Sequence, residues 1–289
     1  VARRRGGGLM GRIELSGVTV MRGGRTLIAD VDMALEPGRV TVLIGPNGAG
    51  KSTALKVASG VWRASKGTAA LDGRNITDFR PRELAERRAL VAQGASLGFP
   101  FTVGEVVMLG ASVPGFGLDA SPEIAVGALA TVGLAGFEAR NYLELSGGER
   151  QRVHIARALC QLRAARRHGA EGQIILLDEP TASLDPAQQT QVMALCRVLA
   201  TAGLTVVLVL HDLNLAAAWA DVLVVLAKGK VRAVGSPRDV LTDDLLASVY
   251  DWPARVNTPP RDGEVFVLPH HARDMSFAGS DAGRDVRRG

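Results

Sequence analysis

The chain has 289 residues, 47% of them hydrophobic and 22% charged, with a formal net charge of +5. It is long enough to bury a substantial core, and its composition is typical of a soluble globular protein. No run of eighteen apolar residues occurs, which argues against a transmembrane helix. The excess arginines are clustered and are not interleaved with aromatic residues, so we expect no nucleic-acid partner.

The N-terminus and the cysteines indicate the cellular compartment. The first residues carry three arginines but no apolar segment, so they do not form a signal peptide. We interpret residues 1–10 as an N-terminal extension, with Met10 closer to the natural start. Cys160 and Cys196 are the two cysteines, which suits a reducing compartment, and we expect both to be buried.

The elements in chain order predict an α/β fold. Alternating segments between Ile13 and Leu35, with the turn signal Gly23-Gly24, favour a small antiparallel sheet. Val40–Ile44 is a continuous apolar strand of the buried, parallel type. Alternation resumes later in the chain, with strands at 174–177, 205–210 and 222–226 and helices from 186 and 213. This order predicts a parallel sheet covered by helices on both faces.

A phosphate-binding loop follows the first buried strand. The run GPNGAGKS matches the P-loop pattern between a strand and a helix, as that motif requires. Its glycines let backbone N–H groups surround phosphates, Lys51 supplies a positive charge, and the Ser52 hydroxyl is a ligand for Mg²⁺. The predicted ATP-binding residues of this segment are Gly45, Pro46, Asn47, Gly48, Ala49, Gly50, Lys51, Ser52 and Thr53.

Two carboxylates end the apolar strand Ile174–Leu177. Unpaired acids beside a core are costly, so Asp178 and Glu179 need a partner. Asp178 is placed to bind Mg²⁺, directly or through water. Glu179, one residue further, would project toward the γ-phosphate and polarise the attacking water.

The run LSGGERQR, Leu145–Arg152, predicts a helix start that contacts phosphate. Ser146 and Glu149 have the spacing of a capping box, which any helix start can have. Gly147 and Gly148 are not explained by that motif, because glycine in a first helical turn costs backbone entropy. Without a Cβ they leave backbone N–H groups open to an anion.

These three motifs, in this order, resemble the ATP-binding-cassette (ABC) ATPases, and the resemblance covers about 13–250. It implies a P-loop NTPase fold of the ABC cassette type: a parallel core sheet, a small antiparallel β subdomain and a helical subdomain that carries the signature LSGGE. We divide the chain into the extension 1–10, an ATPase domain at 11–250 with the helical subdomain inserted at about 94–160, and a C-terminal extension at 251–289.

The resemblance implies further site residues. Gln93 corresponds to the glutamine of the Q-loop, which reaches the metal and the attacking water. His211 corresponds to the switch histidine that contacts the γ-phosphate. Asp185, in Ser183-Leu184-Asp185, corresponds to the D-loop that crosses to a partner subunit, and it is also a good N-cap before Pro186. Catalysis is thus assigned to Glu179, His211 and Gln93, and metal binding to Ser52, Gln93 and Asp178.

The family works as a head-to-tail dimer with ATP between the subunits. Ser146, Gly147, Gly148 and Glu149 are then expected to act in trans, on ATP held by the other copy's P-loop. ATP and Mg²⁺ are the expected cofactors. One position departs from the family: Arg22 stands where an aromatic ring usually stacks on adenine. A guanidinium plane can also stack on a base, so Arg22 is our candidate for this contact.

The family resemblance also implies the partners. Because the chain has no membrane span, we expect a separate polytopic permease dimer, an indirect link to a periplasmic binding protein, and a peripheral position at the cytoplasmic face of the bacterial inner membrane. The segments 99–110 and 211–216 resemble importers of iron chelates, haem and cobalamin. The segments 88–93 and 163–172 are most similar to those of haem importers.

Other substrates and classes stay open at this stage. Ferric siderophore or cobalamin import would use the same motifs. A chromosome-maintenance ATPase would insert a long coiled coil between Lys51 and Asp178, and their sequence separation of 127 (178 − 51) is too short for one. A translation-factor ABC protein would carry two cassettes. The resemblance of segments 88–93 and 163–172 makes haem import our first expectation, and a non-transport ABC ATPase the last.

Overall fold

The computed structural model describes residues 10–94, 98–111, 122–182, 184–261 and 264–268. Our interpretations of residues 1–9 and of the tail beyond residue 268 lie outside these ranges. The strands are β1 Ile13–Arg22, β2 Arg25–Leu35, β3 Val40–Ile44, β4 Lys66–Leu71, β5 Arg74–Asn75, β6 Arg88–Val91, β7 Ile174–Asp178, β8 Thr205–Val209, β9 Val222–Ala227 and β10 Lys230–Gly235. The helices are α1 Lys51–Ala58, α2 Pro81–Arg87, α3 Val103–Met108, α4 Pro122–Thr131, α5 Gly147–Arg167, α6 Pro186–Thr201, α7 Leu213–Trp219, α8 Pro237–Val240 and α9 Asp243–Tyr250.

The antiparallel sheet has the strand order β2-β1-β4-β5. Its first hairpin turns at Gly23 and Gly24, whose φ angles of 56° and 72° lie in the left-handed region that tight hairpin turns need. The predicted antiparallel pair is confirmed. Strands β4 and β5 were not predicted, because β4 pairs with β1 across a long stretch of sequence and its first three residues are exposed.

The central sheet has the strand order β10-β9-β3-β8-β7-β6. The described ladders are parallel except that between β9 and β10. Every residue of β3, β7 and β8 is buried, which confirms the predicted strand type. The carboxyl ends of these neighbouring strands lead into Gly45, Glu179 and His211, so the sheet brings three separate motifs to one edge.

Alternate residues of the central strands enter two different cores. On β3, Val42 belongs to a core that α3, α5, α6 and α7 cover, whereas Leu43 belongs to a core shared with α1 and the antiparallel sheet. The same alternation holds along β7 and β8. The central sheet is therefore covered on both faces, as predicted, and α1 is held between the two sheets.

Helices α3, α4 and α5 form the region expected to carry the signature. Helix α5 continues past residue 160 to Arg167, and Gln161 Nε2 donates to the carbonyl of Arg88, 3.0 Å away, at the start of β6. This bond ties the helical region to the edge strand that precedes Gln93. The limits 11–250 and 94–160 remain our interpretation. Among the helices of the described ranges, none has the length and apolar character needed to span a membrane.

The two cysteines are free and buried, as expected. Burial raises the pKa of the Cys160 thiol to about 11 and that of Cys196 to about 12. Both side chains are thus protonated, apolar parts of the core at neutral pH.

Candidate nucleotide-binding and catalytic site

The P-loop needs glycine at its two ends. Gly45 has a φ of 147°, and a Cβ there would lie 2.0 Å from the carbonyl oxygen of Leu226. Gly50 has a φ of 98°, and its Cβ would lie 2.4 Å from Ile28 Cγ2. Helix α1 then begins at Lys51 with no side chain capping its first N–H groups. The loop is therefore pressed against β2 and β9, and an uncapped helix start is available to an anion.

Lys51 folds back on the loop. Its Nζ donates to the carbonyl oxygens of Gly45 at 2.7 Å and Pro46 at 3.0 Å. Burial lowers the pKa of this amine, while Glu179 and Asp178 act in the opposite direction. A buried cation held mainly by neutral carbonyls retains a strong preference for a phosphate anion.

Ser52 and Asp178 form the candidate metal site. The Ser52 hydroxyl donates to Asp178 Oδ1 at 3.0 Å, and burial raises the pKa of this carboxyl group. Adjacent oxygens of an octahedral Mg²⁺ site, with bonds of about 2.1 Å, are about 3.0 Å apart. Both donors are hard oxygens, and Mg²⁺ usually takes one or two protein ligands beside substrate phosphates. This oxygen pair therefore fits Mg²⁺.

The three predicted catalytic side chains lie together. Gln93 Nε2 donates to Glu179 Oε2 at 2.6 Å, and His211 Nε2 lies 2.5 Å from Glu179 Oε1. Glu179 has a φ of 52°, which is uncommon for a side chain with a Cβ. Such backbone strain is concentrated at functional sites. The Glu179 carboxylate, at the end of β7, is thus held between one residue that follows β6 and one that follows β8.

The signature begins with the predicted capping box. Ser146 Oγ accepts from the Glu149 amide at 3.3 Å, and Glu149 Oε2 accepts from the Ser146 amide at 2.8 Å. The Ser146 backbone N–H lowers the pKa of Glu149. Glu149 is therefore engaged within its own helix, whereas Gly147 is exposed next to the serine.

Asp185 caps the next helix. Its Oδ1 accepts from the Gln188 amide at 2.8 Å, and Pro186 occupies the first helical position. This is the N-cap that the sequence indicated. Ser183, which precedes it in the D-loop segment, lies outside the described residues, and the action of Asp185 on a partner remains a prediction.

Arg22 stacks on Trp62, a residue that no sequence motif indicates. Its Cζ lies 3.8 Å from the centroid of the Trp62 ring, and Lys56 Nζ lies 4.9 Å from the same centroid. The segment after α1 is joined to β1, because the Met21 amide donates to Ser65 Oγ at 3.0 Å. An aromatic ring thus lies against Arg22, and it comes from the segment after α1. No local pattern in the sequence marks this pairing.

The fold, the P-loop and the strand-end carboxylates together define a P-loop ATPase. Residues 28–182 match the family model described as ABC transporter. This chain belongs to the ABC transporter family, as its motifs predicted, and ATP binding and ATPase activity follow from that membership.

Curated relatives indicate a particular group within this family. The hemin import ATP-binding protein HmuV of Rhizobium meliloti (strain 1021) is 43% identical over 260 residues, which cover 90% of this chain and 99% of the relative. HmuV of Agrobacterium fabrum is 45% identical over 257 residues, 89% of this chain and 98% of the relative. HmuV of Streptomyces coelicolor is 44% identical over 259 residues, 89% of each. The predicted resemblance to haem importers is confirmed.

Solved structures agree on the fold. MJ1267, an ATP-binding cassette of an ABC transporter, superposes with a TM-score of 0.72 at 26% identity, covering 83% of this chain and 99% of that one. The protein cbiO1 from Clostridium perfringens, part of the ABC transporter complex cbiONQ, gives 0.69 at 26% identity and covers 82% and 92%. The predicted fold class is confirmed.

Proposed function

We propose that this chain hydrolyses ATP to drive haem import through a separate membrane permease. The observation that carries the choice of haem is the likeness to hemin import ATP-binding proteins, at 43–45% identity over almost their whole length. The observation that supports hydrolysis is the Glu179 carboxylate held beside Gln93 and His211. Import of a ferric siderophore or of cobalamin is the alternative.

In the proposed reaction, the P-loop positions the triphosphate. The backbone N–H groups at the start of α1 surround the phosphates, and Lys51 exchanges its carbonyl partners for the β- and γ-phosphate oxygens. Ser52 and Asp178 would hold Mg²⁺, with the oxygen of Gln93 as a third ligand. The metal ion supplies charge neutralisation at the phosphates.

Glu179 accepts the proton of the attacking water in this proposal. The carboxylate is engaged by two side chains before the reaction, so one of these bonds must open to admit water. His211 is placed to donate to the γ-phosphate once it leaves Glu179. Phosphoryl transfer depends mainly on positioning and on charge stabilisation, which these side chains provide.

A second copy of the chain completes the site. We infer a head-to-tail dimer in which Ser146 and the Gly147 amide contact ATP that is held by the partner's P-loop. The support is chemical: the signature is a helix start, and Gly147 is open to solvent. Asp185 belongs to the segment that crosses to the same partner. The ATP-bound dimer then separates after hydrolysis.

The adenine contact is assigned to Arg22 backed by Trp62. The indole holds one face of the guanidinium and leaves a flat cation for the base to stack on. The remaining partners are a polytopic permease dimer and, indirectly, a periplasmic binding protein. In this proposal the ATPase is peripheral at the cytoplasmic face of the inner membrane.

The test of substrate uses the whole transporter. The chain is reconstituted in proteoliposomes with its permease and binding protein, and ATPase activity is measured with haem, a ferric siderophore or cobalamin. We expect haem-loaded binding protein to stimulate hydrolysis and the others to have no effect. Stimulation by cobalamin or siderophore instead would favour the alternative. Co-purification with ribosomes or DNA instead of a permease would contradict import altogether.

A further inference from the structure

The two glycines of the signature stand in different surroundings. Both occupy the first turn of α5, and neither has a φ in the left-handed region. A Cβ on Gly147 would meet nothing within 4 Å. A Cβ on Gly148 would lie 2.0 Å from Gln188 Oε1 and 2.5 Å from its Cδ. The absence of a Cβ at Gly148 therefore leaves the space that the Gln188 carboxamide occupies.

Gln188 lies at the start of α6, where three connections meet. Its own amide donates to Asp185 Oδ1, and its carboxamide packs on Gly148. The next residue, Gln189, directs Nε2 toward the carbonyl oxygen of Thr181 at 3.4 Å, two residues after Glu179. The first turn of α6 thus touches the D-loop, the segment after the catalytic glutamate, and the signature.

A second contact repeats one turn further along both helices. Arg152 Nη1 donates to Gln191 Oε1 at 3.3 Å. Arg152 follows Gly148 by four residues and Gln191 follows Gln188 by three, so each pair lies on one helix face. Helices α5 and α6 are therefore in register along these faces.

We infer that Gln188 is a positioning residue that fixes the signature against the D-loop. This inference rests on the proposed dimer, in which both elements cross to the partner. The Gln188 side chain packs on Gly148 of the signature, and its backbone N–H donates to Asp185 of the D-loop. The signature and the D-loop therefore form one unit, and both contact the partner's ATP in a fixed relative position. Gln188 itself touches neither water nor phosphate in this role.

The experiment is a double-mutant cycle with Gly148→Ala, Gln188→Ala and the pair. The carboxamide is the end of a flexible side chain, so a Cβ at position 148 displaces it and leaves the fold intact. Both single variants then lose the same contact. We expect each to lower kcat about fivefold or more, and the pair to be no worse than either single variant. ATP affinity of the isolated subunit, measured by fluorescent-nucleotide titration, should not change.

Matched variants separate positioning from general damage. Gln188→Met keeps the length and packing of the side chain without the amide and should restore most of kcat. Thr190→Ala removes a side chain from the same part of α6. Its hydroxyl donates to the Pro186 carbonyl oxygen of its own helix, 2.9 Å away, so this variant should be neutral. In a Glu179→Gln background, Gln188→Ala should raise the ATP concentration needed for dimerisation by about the factor by which it lowers kcat.

Two results would overturn the inference. One is unchanged kcat and dimerisation in Gln188→Ala. The other is multiplication of the two single effects in the double variant, which would mean that Gly148 serves the phosphate alone. Failure of the proposed function has a different outcome: wild-type protein with its permease would show neither ATP hydrolysis nor ATP-dependent dimerisation. Urea unfolding of the wild type, the two single variants and the double variant would still report whether residues 148 and 188 are coupled.

Discussion

His211 and Glu179 are joined directly, with the imidazole Nε2 2.5 Å from Glu179 Oε1. They come from the ends of adjacent strands, β8 and β7, and the imidazole is 45% exposed while the carboxylate is 14% exposed. In the proposed reaction, this bond holds the Glu179 carboxylate until nucleotide binds. Its opening would couple γ-phosphate binding to the release of Glu179 toward water.

Replacing Glu179 with glutamine should separate binding from hydrolysis. The amide keeps the size of the side chain and one oxygen that can accept a hydrogen bond, but it cannot accept the proton of water. We expect normal ATP affinity, a loss of kcat of about 100-fold or more, and a closed dimer that is stable in ATP. Size-exclusion chromatography with ATP and a phosphate-release assay measure this. Normal turnover in Glu179→Gln would remove Glu179 from its role as base.

Placing arginine at Ser146 should block the dimer site from the partner's side. The long side chain fills the space at the exposed helix start, so ATP still binds the intact P-loop but cannot be enclosed. We expect unchanged nucleotide affinity and a loss of ATPase activity of about 100-fold or more. Lys51→Ala is the contrasting control, since it should lose ATP affinity itself. Full activity in Ser146→Arg would exclude the sandwich arrangement.

Asp178→Asn should stabilise the nucleotide-free fold while it abolishes metal-dependent hydrolysis. Burial raises the pKa of Asp178, so the folded state disfavours its ionised form. A raised carboxyl pKa contributes stability that is complete below the ordinary pKa and is lost as pH rises through the raised value. The variant should therefore match wild type at low pH and exceed its Tm at neutral pH. A gain of about 1 kcal/mol corresponds to about 2–4 °C for a large domain.

Differential scanning fluorimetry across pH tests this without nucleotide. The Ser52 hydroxyl can still donate to the asparagine oxygen, so that contact is kept. A lower Tm in Asp178→Asn at neutral pH would show that the carboxylate stabilises the empty site instead.

Truncation of Trp62 should weaken ATP binding through Arg22. Without the indole, the guanidinium loses its support and its fixed orientation. We expect Trp62→Ala and Arg22→Ala each to raise the Kd for ATP about 3- to 10-fold, in line with a cation–π contact of about 1 kcal/mol. Inorganic tripolyphosphate, which has no base, should bind all variants equally. Trp252→Ala, an exposed tryptophan beyond α9, is the control. An equal loss of affinity for ATP and for tripolyphosphate would mean that Trp62 supports the stability of the fold and does not contribute to base recognition.

The parts of this protein that sequence predicts well are those with a local physical signal. Continuous apolar runs identified β3, β7 and β8, because a strand buried on both faces has no polar side. The P-loop is recognisable because its backbone conformation and close packing require glycine at fixed positions, as at Gly45 and Gly50. Strands β4 and β10, whose exposed residues interrupt the apolar pattern, were not predicted.

By itself, then, the sequence determined the ABC cassette fold, the P-loop, the strand-end acids and the signature with its capping box. Only the tertiary structure decided which side chains meet: Trp62 beneath Arg22, Gln188 against Gly148, and Gln93 with His211 on Glu179. The reason is physical. Motifs record what the backbone must do locally, whereas these contacts join residues far apart in the chain, and only sheet order and helix register bring them together.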